Sequence, residues 1–127
     1  MTLCIPEILG ADPLNIVWNV VRGDTSTLKI EFYETDEDTA YTTTGWTYDA
    51  TAYDPTTDTS YSLTVDDYDG YVIVTAADTV TDDWGVGSRY RVAQLEFDLE
   101  VTLADGSVWT PVRGSISVIS DITGGAL

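Results

Sequence analysis

The chain has 127 residues, which suits one domain and leaves little room for two. Apolar residues make up 43% and aromatics 11%, too rich for a disordered chain and enough to fill a core without staples at this length. With 22 acidic against 5 basic residues the formal charge is −17, which repels phosphate backbones, so nucleic-acid binding is excluded and docking onto anionic lipid is disfavoured.

Residues 1–15, "MTLCIPEILGADPLN", read as an N-terminal arm in which Pro6, Gly10 and Pro13 break regular structure. The arm has no basic start and no long apolar run, so it is not a signal peptide, and no stretch of the chain approaches a membrane span. Synthesis in a cytosol without export is expected. Cys4 is the only cysteine and reads as a small apolar residue, an intermolecular bridge being the alternative. Leu3, Ile5, Ile8, Leu9 and Leu14 are too many apolar residues for an exposed tail. They are the candidate subunit contacts, packing on their own domain or on a neighbouring subunit.

"NIVWNVV" (15–21) is a first short strand. "STLKIEFYE" (26–34) alternates with Leu28, Ile30 and Phe32 on one face, the period of a half-buried strand. An acidic loop (35–45) leads to "WTYDATAY" (46–53), with Trp46, Tyr48, Ala50 and Ala52 together. After the turn "DPTTD", "TSYSLTV" (59–65) places Tyr61, Leu63 and Val65 on one face. "DDYDG" turns into "YVIVT" (71–75). Residues 76–85 suit one helical turn crossing an end of the fold. "RYRVAQLEFDLEVTL" (89–103) is the longest strand, with Leu95, Phe97, Leu99, Val101 and Leu103 facing in. Asp105-Gly106 signals a two-residue hairpin turn. "VWTPVRGSISVIS" (108–120) returns, with Pro111 marking an edge or bulge. Residues 121–127 form a Gly-rich tail. The pattern predicts an all-β fold, an antiparallel immunoglobulin-like β-sandwich of about seven strands over 16–120 with one short helical turn. A small β-barrel is the runner-up.

No catalytic constellation stands out, and the chain is read as not an enzyme. It has no histidine, its one cysteine lies in the arm, and nucleotide-binding glycine patterns and a nucleophile elbow are absent. "VDDYDG" (65–70) fails as a calcium loop, because Val65 and Ala76 would occupy ligand positions. No cofactor is expected. The remaining metal reading is a weak interfacial calcium site from loop carboxylates such as Asp36, Asp66 and Asp82. Tyr33, Tyr53, Trp84 and Trp109 are candidate surface aromatics for stacking on a sugar or a partner. Of these, Trp84 in its acidic turn suits a plug for one end of the sandwich better than a ligand platform. Arg22-Gly23-Asp24 has the sequence of an adhesion ligand. Arg113-Gly114 repeats its Val-Arg-Gly context, and both are better read as structural corners in which glycine permits a bulge or tight turn.

In order, "VVRGDTSTLKIEF", "GWTYDATAYDP" and "DGYVIVTAADTVTDDWGVGSRYRVAQLEFDLEVTLADGSVWTPVRGSISVISDIT" resemble the small immunoglobulin-like β-sandwich virion proteins of tailed bacteriophages. The layout is similar to the N-terminal domain of the baseplate upper protein family over roughly residues 16–123. The resemblance implies a non-enzymatic virion structural protein, assembled in the host cytoplasm, whose partners are other virion proteins and further copies of itself. Members often continue into a host-binding region. This sequence ends at Leu127, so a tail or baseplate adaptor or a capsid decoration protein is expected. A carbohydrate- or host-surface-binding module is the alternative.

Overall fold

The computed structural model describes residues 2–6, 14–33, 42–85 and 92–120, with residues 2–6 and 33 described by their backbone alone. Eight strands follow in chain order: β1 (Thr2–Pro6), β2 (Leu14–Val21), β3 (Ser26–Tyr33), β4 (Thr47–Asp54), β5 (Thr59–Tyr68), β6 (Tyr71–Ala76), β7 (Val92–Thr102) and β8 (Val108–Ile119). One helical turn, α1 (Asp78–Thr81), lies where the chain was expected to cross an end of the fold. The strands read from alternation are β2 to β8. β1 was not expected. Backbone ladder bonds with β3 hold it, and the arm sequence gives no period that would announce them.

The strand order is β1-β3-β6-β5-β4-β7-β8-β2 in one continuous sheet. It folds into two layers because β5 changes partner along its length. Its first half, Thr59–Leu63, pairs with β4, and its second half, Thr64–Tyr68, pairs with β6. The order begins at β1 and ends at β2, so among the described residues the sheet does not close into a barrel. The expectation of a purely antiparallel sandwich needs one correction. β1 runs parallel to β3, and β2 parallel to β8. Parallel pairing suits β2 because the chain leaves it by crossing to β3 in the other layer, not by turning back on its neighbour.

Alternation places the core as read. Leu28, Ile30 and Phe32 from β3 meet Leu95, Phe97, Leu99 and Val101 from β7, all buried. An aromatic cluster fills one end. Phe32 and Trp46 meet edge to face at 5.5 Å, and Trp109 lies 6.4 Å from Trp46. Midway, Trp18 of β2 packs on Phe97 at 5.6 Å, and its indole N–H donates to Ser26 Oγ at 3.0 Å. At the other end Trp84, fully buried, meets Tyr61 at 6.1 Å.

Two turns carry the detail. The β7–β8 hairpin has a loop of one residue more than expected. Leu103 N–H donates to Ser107 O at 2.8 Å and Gly106 N–H to Leu103 O at 3.0 Å, enclosing Ala104, Asp105 and Gly106. Gly106 takes φ +90°, so the loop is a turn followed by a left-handed glycine. Asp105 Oδ1 accepts the Ser107 amide, which holds this carboxyl below the usual carboxylate value. On β8 the register slips between Leu99/Val112 and Val101/Trp109, so Pro111 sits in a bulge, where its missing N–H breaks no ladder bond.

Candidate interaction surfaces

The Arg22-Gly23-Asp24 corner joins β2 to β3, and it is built inward. Arg22 N–H continues the ladder to Ile119 O at 2.8 Å, and Asp24 N–H closes the turn on Val21 O at 3.0 Å. Gly23 takes φ +85°, a backbone region that disfavours any side chain. The Arg22 side chain is only 3% exposed. Its Nε donates to Trp84 O at 2.7 Å and its Nη2 to Gly85 O at 3.0 Å. Gly85 N–H in turn donates to Oδ2 of buried Asp54 at 3.1 Å. Thr81 at the end of α1 completes the joint. Its hydroxyl donates to Asp24 O at 2.8 Å and accepts Gly23 N–H at 3.1 Å, while Asp78 N–H donates to Thr25 Oγ1 at 3.1 Å.

The tripeptide therefore does not present its guanidinium to a receptor. That group holds the segment carrying Trp84 against the end of the sandwich. A buried cation is tolerated here because fixed carbonyl dipoles replace its water. Asp54 and Thr81 were not singled out from sequence. An Asp before a Pro at the end of a strand looks like an ordinary turn residue.

Arg113 and Gly114 are not a second corner. Both lie inside β8, and the chain bends earlier, at the Pro111 bulge. The glycine answers a different need. A Cβ at position 114 would sit 2.0 Å from Ile16 O and 2.8 Å from Ile16 N. The close approach of β2 to β8 excludes any side chain there.

Arg113 stands on the outer face, opposite Asp98 of β7 and Asn15 of β2. Arg113 and Asp98 line a shallow hollow with Thr51, Tyr53 and Glu96. Partial burial lifts the Asp98 carboxyl above its ordinary value, and the opposing pull of Arg113 is smaller. A raised carboxyl binds its proton more tightly folded than unfolded. Its contribution to stability therefore grows as pH falls through the raised folded value towards the unfolded one. Asp98→Asn is expected to raise the melting temperature slightly at pH 7, with the gain vanishing on acidification. Since Asp98 is largely exposed, solvent keeps the effect small. A lower melting temperature for the variant at pH 7 would contradict this reading.

The four aromatic candidates separate. Trp84 and Trp109 are buried at 0% and 7% exposure, so neither is a surface platform. Trp84 plugs the Arg22 end, and Trp109 joins the cluster around Phe32. Both are large apolar surfaces at strand or turn ends, where the two layers need filling. Tyr53 is half-buried, and its hydroxyl donates to Asp58 Oδ1 at 2.6 Å, which raises the phenol above its usual value. The Tyr33 side chain lies outside the described residues. Tyr68, exposed, stacks on Tyr71 at 4.7 Å, an ordinary cross-strand pair.

Of the subunit-contact candidates, Leu3 and Ile5 fall in β1, whose backbone pairs with β3. Ile8 and Leu9 lie outside the described residues. Leu14 opens β2 and is 42% exposed. Asp36 also lies outside the described residues, and among those described no group of three His, Cys, Asp or Glu is placed to hold a metal ion. No described helix is long and apolar enough to cross a membrane.

No family model matches this sequence. No curated protein matches it. Solved structures similar to this chain include the N-terminal domain of phage TP901-1 ORF48, at 13% identity and a TM-score of 0.47, covering 95% of this chain and 99% of that one.

Proposed function

We propose that this chain is a non-enzymatic structural protein of a tailed-phage virion, present in several copies and docking to other virion proteins as a tail or baseplate adaptor or a capsid decoration protein. One observation carries the reading. The short motifs behind the family resemblance are the junctions of this fold. Arg22-Gly23-Asp24 makes the crossing from β2 to β3. Asp69-Gly70 makes the β5–β6 turn, with Gly70 at φ +87°. Residues 77–85 carry α1 and the Trp84 plug. Asp105-Gly106 makes the β7–β8 hairpin. In the closing strand, Gly114 admits β2 while Ile116 and Val118 enter the core. Such motifs mark a scaffold and not a reaction centre.

The acidic outer surface fits a part that stays soluble until it meets its docking site. The test is immunogold labelling and peptide mass spectrometry of density-purified particles from a producing culture. Label at one defined place on the particle is expected. Full recovery of the protein in the soluble, particle-free fraction would overturn the proposal. Label on the shell would favour decoration, and label at the tail tip an adaptor.

A further inference from the structure

The last strand in the sheet order, β2, is an edge of an unusual kind. In a chain of charge −17, Leu14–Val21 contains no charged residue and no proline. It pairs with β8 over eight consecutive positions without a bulge. Among the described residues, β8 is its one ladder neighbour. Soluble proteins normally protect such an edge with lysine, proline, a bulge or short length, because its backbone groups template another strand. None of these devices is present, and Val17 at the middle is 53% exposed.

The pattern along the strand identifies what would cover it. Ile16, Trp18 and Val20 point into the core, and Asn15, Val17 and Asn19 point out. The outward triplet Asn-Val-Asn reads the same in both directions. A two-fold axis through Val17 sets this residue against its own counterpart and Asn15 against Asn19 in an antiparallel ladder. Isologous pairing requires that self-complementarity. The nearest outward charge in the next strand is Arg113, beside Asn15, while Glu96 and Asp98 lie one strand further away on β7. Neutral strand therefore meets neutral strand, and the acidic faces are kept apart.

We propose that two copies of this chain join edge to edge through antiparallel pairing of β2, making one sheet continuous across the dimer. The inference deepens the multi-copy assembly proposed above and rests on it for its biological use. Its geometry does not depend on a phage origin. Because each copy is strongly acidic, added salt screens their repulsion and should tighten the pair. A basic strand from another protein on the same edge would bind less tightly in salt.

Light scattering on the purified chain should show twice the monomer mass at high concentration, with more dimer as salt is raised. Val17→Lys places two like charges face to face on the axis. It should raise the dissociation constant at least about tenfold while leaving the thermal transition of the dilute, monomeric chain unchanged. Register is read by cysteine cross-linking in a Cys4→Ser background with a short bis-maleimide. Val17→Cys should link to itself, whereas Asn15→Cys should link to Asn19→Cys in a mixture but poorly to itself. A chain that stays monomeric at every salt concentration, or a dimer untouched by Val17→Lys, or equal self-linking at positions 15 and 17, would overturn the proposal. These outcomes leave particle labelling unaffected, so failure of the dimer and failure of the virion role are told apart.

Discussion

Gly114→Ala is expected to lower the melting temperature by more than about 10 °C, from a loss exceeding roughly 3 kcal/mol. The methyl would stand 2.0 Å from Ile16 O and 2.9 Å from Ile16 C. Those are backbone atoms of a paired strand, so no rotamer change relieves the contact. β2 must move, and with it Ile16, Trp18 and Val20, which are buried at 8%, 2% and 1% exposure. Gly106→Ala is the informative control. A Cβ there meets nothing within 4 Å, but φ is +90°, so its cost is the left-handed backbone penalty alone, about 1–2 kcal/mol. Thermal unfolding followed by circular dichroism separates the two. If position 114 costs no more than position 106, β2 does not approach β8 as described.

Arg22→Met should cost about 3–5 kcal/mol, because at least two hydrogen bonds from a charged donor are lost and the carbonyls of Trp84 and Gly85 are left without them. Methionine keeps most of the apolar stem, so the loss reports on the guanidinium. Arg22→Lys should recover only part, since one ammonium cannot reproduce the fork that reaches two carbonyls. Denaturant melts measure this, and the summed tryptophan emission should begin to shift red at lower denaturant as the Trp84 segment loosens. By contrast, Asp24→Glu changes an exposed side chain and should stay within about 0.5 kcal/mol. A tripeptide serving adhesion would show the opposite sensitivity, with Asp24 critical and Arg22 accessible. Full stability in Arg22→Met would remove the joint from the account.

Much of this architecture is written in alternation. Leu95, Phe97, Leu99 and Val101 had to share a face, and their polar neighbours had to face out, whatever the partners were. Local turn chemistry was nearly as clear, though Asp105-Gly106 could not fix the loop length. That length follows from where Leu103 and Ser107 meet. Long-range matters were not legible. Arg22 is buried because carbonyls 62 and 63 residues away converge on it, and no spacing in the sequence records that. Trp109 looks like a surface aromatic beside Thr110, and only the arrival of Phe32 makes it core, whereas Trp84 in its acidic turn already reads as an end plug and is one. Arg113-Gly114 copied the words of the Arg22 corner but not its backbone, since a glycine can serve a turn or a close approach and the sequence does not say which. The sequence points to the apolar arm for contacts between copies. The uncharged run 14–21 is equally plain there, but it reads as an edge only once β2 lies last in the sheet order.

The parallel pairing of β2 with β8 also sets how the domain bears load. A hairpin pulled at its open end unzips one bond at a time. Here the two strands run the same way, from Leu14 beside Val112 to Val21 beside Ile119. Tension drawn between the start of β2 and the end of β8 acts along the ladder, as shear. Its bonds are evenly spaced along the pair, so they share the force and must yield together. The fold thus places a tension clamp between its first core strand and its last.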